Sequence, residues 1–236
     1  MNTYRKTAVI VGALFITATV SSIIGYQVIL GPILKSPDYL INISTNQNLF
    51  TLGVLIDSIN SAAVVLIAVM LYPILKKYDG ALALGYVSAR IIESVILIVG
   101  SISLLSLLTL GQEYVQASVP DAHDYQTLGN VILGVNDWTY LLGPMLVFSL
   151  TALILNYIFY QSRLVPRFIS LWGLVGAVMI SAAGLLGIFG LSPFSMTSIL
   201  LTLPIALNEM VLAIWLIVKG FNPSAIAAMS ASTNDI

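Results

Sequence analysis

The sequence predicts an all-α protein: a six-helix transmembrane bundle with both termini cytoplasmic. Three observations carry this. Only 8% of the 236 residues are charged and 58% are hydrophobic, with a mean hydropathy of +1.00, whereas a soluble domain carries roughly 25% charged residues. Six apolar runs each exceed the roughly 20 residues that a helix needs to cross about 30 Å of hydrocarbon. The basic residues that flank these runs collect on one side. Arg5, Lys6, Lys76, Lys77, Arg163, Arg167 and Lys219 fall on one side and only Lys35 on the other. Such a bias marks the cytoplasmic face. It places the protein in the plasma membrane as a multi-pass chain.

The first run, residues 7–30, carries no charge and follows Arg5 and Lys6. It is too long for a signal-peptide core of roughly 7–15 residues, and no small-residue cleavage site follows it. It is read as a retained span. Residues 31–48 form a loop with Lys35 and Asp38. The second span, 49–75, holds Asp57, Asn60 and Ser61, with Pro73 near its end. A basic turn at 76–80 leads to the third span, 81–110. Residues 111–127 read as an acidic loop with Glu113, Asp121, His123 and Asp124. The fourth span lies within 128–160 and holds Asn136, Asp137 and Pro144. A second basic turn, 161–167, precedes the fifth span, 168–190, which has no charge and is rich in Gly and Ala. The sixth span, 197–218, holds Pro204, Asn208 and Glu209. Residues 1–222 are expected to be one transmembrane domain, and 223–236 a polar, disordered tail. A β-barrel would need strands of about 10 residues alternating polar and apolar, and these runs do not alternate.

Composition excludes several functions. The chain has no cysteine and one histidine, His123, so thiolate chemistry, disulfides and multi-histidine metal or haem sites are out. No cofactor or metal is expected. Net charge is −1, which argues against nucleic acid as a partner. No phosphate-binding loop is present, no span carries a histidine base for serine hydrolysis, and no lysine lies mid-span for a Schiff base. Pro120 to Asp124 offers two carboxylates and an imidazole, but reads as a solvated loop.

Five ionisable residues lie inside spans: Asp57, Arg90, Glu93, Asp137 and Glu209. Each costs roughly 2.5–3.5 kcal/mol at a helix centre on insertion scales, so each is expected to face protein or water. A rise of about 1.5 Å per residue puts all five near one midplane layer. Tyr86, Arg90 and Glu93 share a stripe at i, i+4, i+7, and Asp57, Asn60 and Ser61 another. Arginine keeps its charge, so one carboxylate can neutralise it. The i, i+3 spacing to Glu93 suits a bidentate fork poorly, which makes Asp57, Asp137 or Glu209 candidate partners. Pro144 and Pro204 each free a backbone carbonyl four residues earlier. The candidate site is Asp57, Asn60, Tyr86, Arg90, Glu93, Asn136, Asp137, Asn208 and Glu209. Trp138 is expected to line the core beside Asp137, and Trp172 and Trp215 to anchor at the interface.

Three segments resemble a known family: Gly85-Tyr86-Val87-Ser88-Ala89-Arg90-Ile91-Ile92-Glu93, Ser162-Arg163-Leu164-Val165-Pro166-Arg167, and Pro204 to Phe221 with its Ala-Leu-Asn-Glu-Met-Val core. They are similar to the prokaryotic membrane proteins of domain of unknown function 4386, over residues 5–223. The resemblance implies a multi-helix membrane protein and no particular substrate. The leading functional reading is a buried polar site for a small molecule, a lipid, or a proton or cation within the bilayer, transporter- or sensor-like. The alternatives are a structural or accessory membrane subunit with a paired polar core and, as the lesser reading, an intramembrane enzyme.

Overall fold

The computed structural model describes residues 3–116, 122–193 and 195–232, and all regular structure among them is helical. Six helices are long and apolar enough to cross a membrane: Thr3–Leu34, Gln47–Leu75, Gly80–Gln116, His123–Ser162, Arg167–Ile188 and Met196–Val218. They are numbered here spans one to six. Two shorter helices, Tyr39–Thr45 and Pro223–Ser232, lie outside them.

Local chemistry explains where the spans begin and end. Asp79 precedes span three, and its carboxylate accepts the Leu82 amide at 2.9 Å. Ser195 does the same for Ser198 at the start of span six, at 3.2 Å. Both satisfy amides that a helix start leaves without a partner. Spans five and six are followed by glycines with positive φ, Gly190 at 98° and Gly220 at 78°, a conformation that stops a helix at little cost only in glycine. At the end of span six, Arg5 donates to the carbonyls of Leu216 at 2.8 Å, of Ile217, and of Val218 at 3.2 Å. A cation is thereby fixed at the negative end of the helix dipole.

Two spans contain π-helical turns, Ile23–Leu30 and Leu141–Val147. The second holds Pro144, whose missing amide cannot close an α-helical bond to Tyr140. Wider turns re-seat the backbone there without breaking the span.

Three boundaries differ from the sequence reading. Span one continues to Leu34, and Tyr39–Thr45 is helical because Tyr39, Leu40 and Ile43 bury one apolar face. The acidic loop shrinks, since span three runs to Gln116. Pro120 and Asp121 lie outside the described residues, while His123 and Asp124 sit exposed in the first turn of span four. The tail expected to be disordered forms a helix over Pro223–Ser232. Ala225, Ile226 and Met229 are buried on one side of it, and Ser230 accepts from Lys77 Nζ at 2.9 Å.

Packing divides the chain, including the stretch read as one domain, into two compact units. Unit one comprises residues 1–16, 63–94 and 141–236. Its core includes Phe15, Leu71, Leu75, Tyr86, Phe159 and Leu216. Span five packs against span six and against the second half of span four. At Gly176 a Cβ would come within 2.9 Å of the Ile205 amide nitrogen, so the small residue is what lets spans five and six meet. All of the chain's lysines and arginines except Lys35 belong to this unit.

Unit two comprises residues 17–62 and 95–140. Its core holds Leu30, Ile43, Phe50, Leu104 and Leu107. Gly25 lies so close to span two that a Cβ would stand 2.6 Å from the Asp57 amide. Among its described residues Lys35 is the only lysine or arginine, against five Asp and Glu side chains.

Candidate functional site

Unit one contains a buried charge cluster centred on Arg90. Span three presents Tyr86, Arg90 and Glu93 on one stripe, as i, i+4, i+7 spacing requires. Arg90 Nη1 lies 3.1 Å from each carboxylate oxygen of Glu93, and Nε donates to the Tyr86 hydroxyl at 3.3 Å. Nη2 points to Glu209 Oε1 on span six, 3.9 Å away. The guanidinium carbon sits 5.6 Å from the Tyr86 ring centre and 5.2 Å from that of Phe148. Aromatic faces attract a guanidinium and more so where water is absent. Thr151 on span four sets its hydroxyl against Glu93.

Burial separates the two acids. The side chains of Arg90 and Glu93 are 3% and 4% exposed, whereas that of Glu209 is 21% exposed. Arg90 and Glu93 are therefore closed on each other and on aromatic rings. Glu209 is the member of the cluster that its surroundings can reach. The i, i+3 spacing gives no two-nitrogen fork: Nη1 alone straddles both oxygens of Glu93. That leaves Nη2 free to face the second acid.

Unit two gathers a different polar set. The Tyr26 hydroxyl donates to Asn136 Oδ1 at 3.0 Å, and Asn136 Nδ2 reaches the Gly100 carbonyl at 3.5 Å. Tyr26 stacks on Tyr140 with ring centres 5.6 Å apart. Asp57 is half-buried on span two. Ser58 and Ser101 share a hydrogen bond of 3.2 Å. Outside the spans, Tyr39 donates to Asn130 Oδ1 at 3.1 Å, and burial raises its phenol above the ordinary tyrosine value.

The structure thus assigns Tyr86, Arg90, Glu93, Asn208 and Glu209 to unit one, and Asp57, Asn60, Asn136 and Asp137 to unit two. Arg90 takes its hydrogen-bond and charge partners from spans three and six of its own unit and an aromatic face from span four. Trp138, expected to line the core, is 53% exposed, and Asp137 beside it is exposed as well. In their turn of span four it is Asn136 that points inward, at 4% exposure. Asn208 is adjacent to Glu209 in sequence but serves another purpose. Its Nδ2 donates to the Ile169 carbonyl at 2.7 Å and ties span six to span five.

Some members of the site carry no mark in the sequence. Phe148 is one apolar residue among many, and Thr151 bonds the Phe148 carbonyl at 2.8 Å as hydroxyls in helices commonly do. Asn156 was legible as a polar residue inside a span. It is buried at the interface with span five, where Gly173 faces it.

Among the described residues, no group of three His, Cys, Asp or Glu side chains gathers as a metal site. Neither the curated proteins nor the solved structures provide a match to the chain. The family described as Domain of unknown function (DUF4386) matches residues 10–220. That stretch covers all six spans apart from the first turns of span one, together with the whole Arg90 cluster, and on this match the chain belongs to the DUF4386 family.

Proposed function

We propose that the protein is a multi-pass protein of the plasma membrane in which the Arg90 cluster binds a proton or small cation at Glu209, in a transporter- or sensor-like role. Both termini lie in the cytoplasm in this reading, which rests on the clustering of lysine and arginine at one end of the spans. One observation carries the site. Two carboxyl groups face one guanidinium, and only one of them is closed on it. Glu93 neutralises Arg90. Glu209, 3.9 Å away and 21% exposed, adds a second negative charge that low dielectric does not tolerate alone. A proton or a cation restores neutrality there, and its arrival or departure changes the charge that Arg90 feels.

Two experiments test this. In proteoliposomes, a proton or monovalent-cation flux that depends on the protein is expected to vanish in Glu209→Gln while the variant still folds. Equal flux in the variant, or none in the parent protein, sinks the cation-binding reading. For topology, the absence of native cysteine allows single-cysteine labelling in cells. Gln116→Cys is expected to react from outside, and Ser224→Cys only after permeabilisation.

A second reading is supported by the closure of Arg90 on Glu93, Tyr86 and Phe148. A dry, paired core of that kind suits a structural or accessory subunit. It predicts that Glu209→Gln changes no transport or binding signal, and that Arg90 variants lose folding alone.

A further inference from the structure

A cavity of about 560 Å³ opens in unit one where spans four and six end and span five begins. Its charged wall is Arg163, Arg167 and Lys219, and its apolar wall includes Trp215 and Phe221. We infer that this cavity is a binding site for a phosphate group, carried either by an anionic lipid headgroup or by a soluble phosphate ester. It is distinct from the Arg90 cluster and does not depend on the function proposed for it.

Four observations converge on that ligand. First, the cations are available. Arg5 is engaged by the carbonyls that end span six, and Lys77 by Tyr4 and Ser230. Among the described residues, no carboxylate forms an ion pair with Arg163, Arg167 or Lys219. Arg167 rests its guanidinium 5.1 Å from the Tyr160 ring centre, which orients the fork without consuming its donors.

Second, Arg163 is held in a costly conformation. It is the only non-glycine residue with positive φ among those described, at φ 57°. The left-handed region costs an L-residue roughly 1–2 kcal/mol, and glycine would adopt it freely. A cation at this helix end complements the dipole, but a cation one residue earlier would do so without the left-handed backbone. Asn222 grips the same turn, its amide donating to the Leu164 carbonyl at 2.9 Å and its Nδ2 to that of Arg163 at 3.3 Å. The strained arginine is thus held at the mouth of the cavity by the chain that follows span six.

Third, span five begins at Arg167 with Pro166 as its cap and no side chain on its first amides. A helix start of that kind adds a partial positive charge to the same wall. Fourth, Trp215 is half-buried near the end of span six, at the depth where an amphipathic ring meets headgroups. Basic pockets between transmembrane helices have the character that binds phosphate headgroups.

The test uses the full chain in nanodiscs of phosphatidylcholine, with Trp138→Phe and Trp172→Phe leaving Trp215 as the only tryptophan. Phosphatidylglycerol, inorganic phosphate and glycerol 3-phosphate are titrated separately while Trp215 fluorescence is read. Saturation by phosphatidylglycerol but not by extra phosphatidylcholine assigns a lipid phosphate. Saturation by the soluble phosphates assigns a free ester. Arg167→Gln is expected to weaken the half-saturation point about tenfold, as the loss of one charge-assisted hydrogen bond does. Arg163→Gly removes the cation and relieves the backbone at once, so it is expected to bind about tenfold more weakly while melting no lower than its parent. The site is overturned if none of the anions saturates the signal. It is equally overturned if phosphatidylcholine acts as well as phosphatidylglycerol, or if Arg163→Gly and Arg167→Gln bind as the parent does.

Discussion

Nη1 of Arg90 stands 3.1 Å from both carboxylate oxygens of Glu93, three residues further along span three. One helix therefore carries its own neutralised ion pair. Removing Arg90 leaves a buried carboxylate uncompensated, and removing Glu93 leaves Arg90 only the longer contact to Glu209, a loss of up to about 3–5 kcal/mol. Arg90→Met and Glu93→Leu are each expected to lower thermal stability by that order, read as melting in detergent or nanodiscs. The double variant is expected to be less damaging than the two single losses added together. Strict additivity would show that the pair is not coupled.

Glu209→Gln leaves the Arg90 contacts to Glu93 and Tyr86 in place. Its stability cost is expected to be smaller than that of Arg90→Met, under about 1 kcal/mol as for groups near the low end of ion-pair effects. Melting of Glu209→Gln beside Arg90→Met checks this. A loss as large as that of Arg90→Met would mean that Glu209, not Glu93, is the partner that matters for folding.

At Gly176 of span five a Cβ would meet the Ile205 backbone of span six, 2.9 Å from N and 3.0 Å from Cα. Gly176→Val adds side-chain volume against backbone, which cannot move aside as a flexible side chain can. A loss of about 1–3 kcal/mol is expected from overpacking. Gly134→Ala, with open space around its Cβ position, is the control and is expected to melt within about 0.5 kcal/mol of the parent, as substitutions away from packed features do.

Arg5→Met removes three donors from the carbonyls that end span six. The unmet hydrogen bonds are expected to cost about 1–3 kcal/mol. Hydrogen exchange should rise at residues 215–220 and at the helix Pro223–Ser232, with span three unaffected. Unchanged exchange at 215–220 would show that water replaces the guanidinium without loss.

The sequence by itself determined the six spans, because a helix in hydrocarbon must satisfy every backbone group internally and the apolar runs are long enough to do so. It also determined the stripe of Tyr86, Arg90 and Glu93, since helical periodicity places them on one face whatever surrounds them. Only the tertiary structure decided what that stripe meets. Contact between residues 90 and 209 depends on how span six packs, and nothing local in either span encodes it. The same holds for Phe148, an apolar residue whose ring becomes electrostatically useful only once a guanidinium lies above it. Asp57 and Asp137 share the carboxylate and the approximate depth of Glu209, yet they belong to the other packing unit. Depth along a helix is legible from residue counting; the neighbour across the interface is set by side-chain packing over long sequence separation. The terminal helix makes the same point. Ala225, Ile226 and Met229 are too few to predict order alone, and they order because unit one offers them an apolar face and Lys77 offers Ser230 a hydrogen bond.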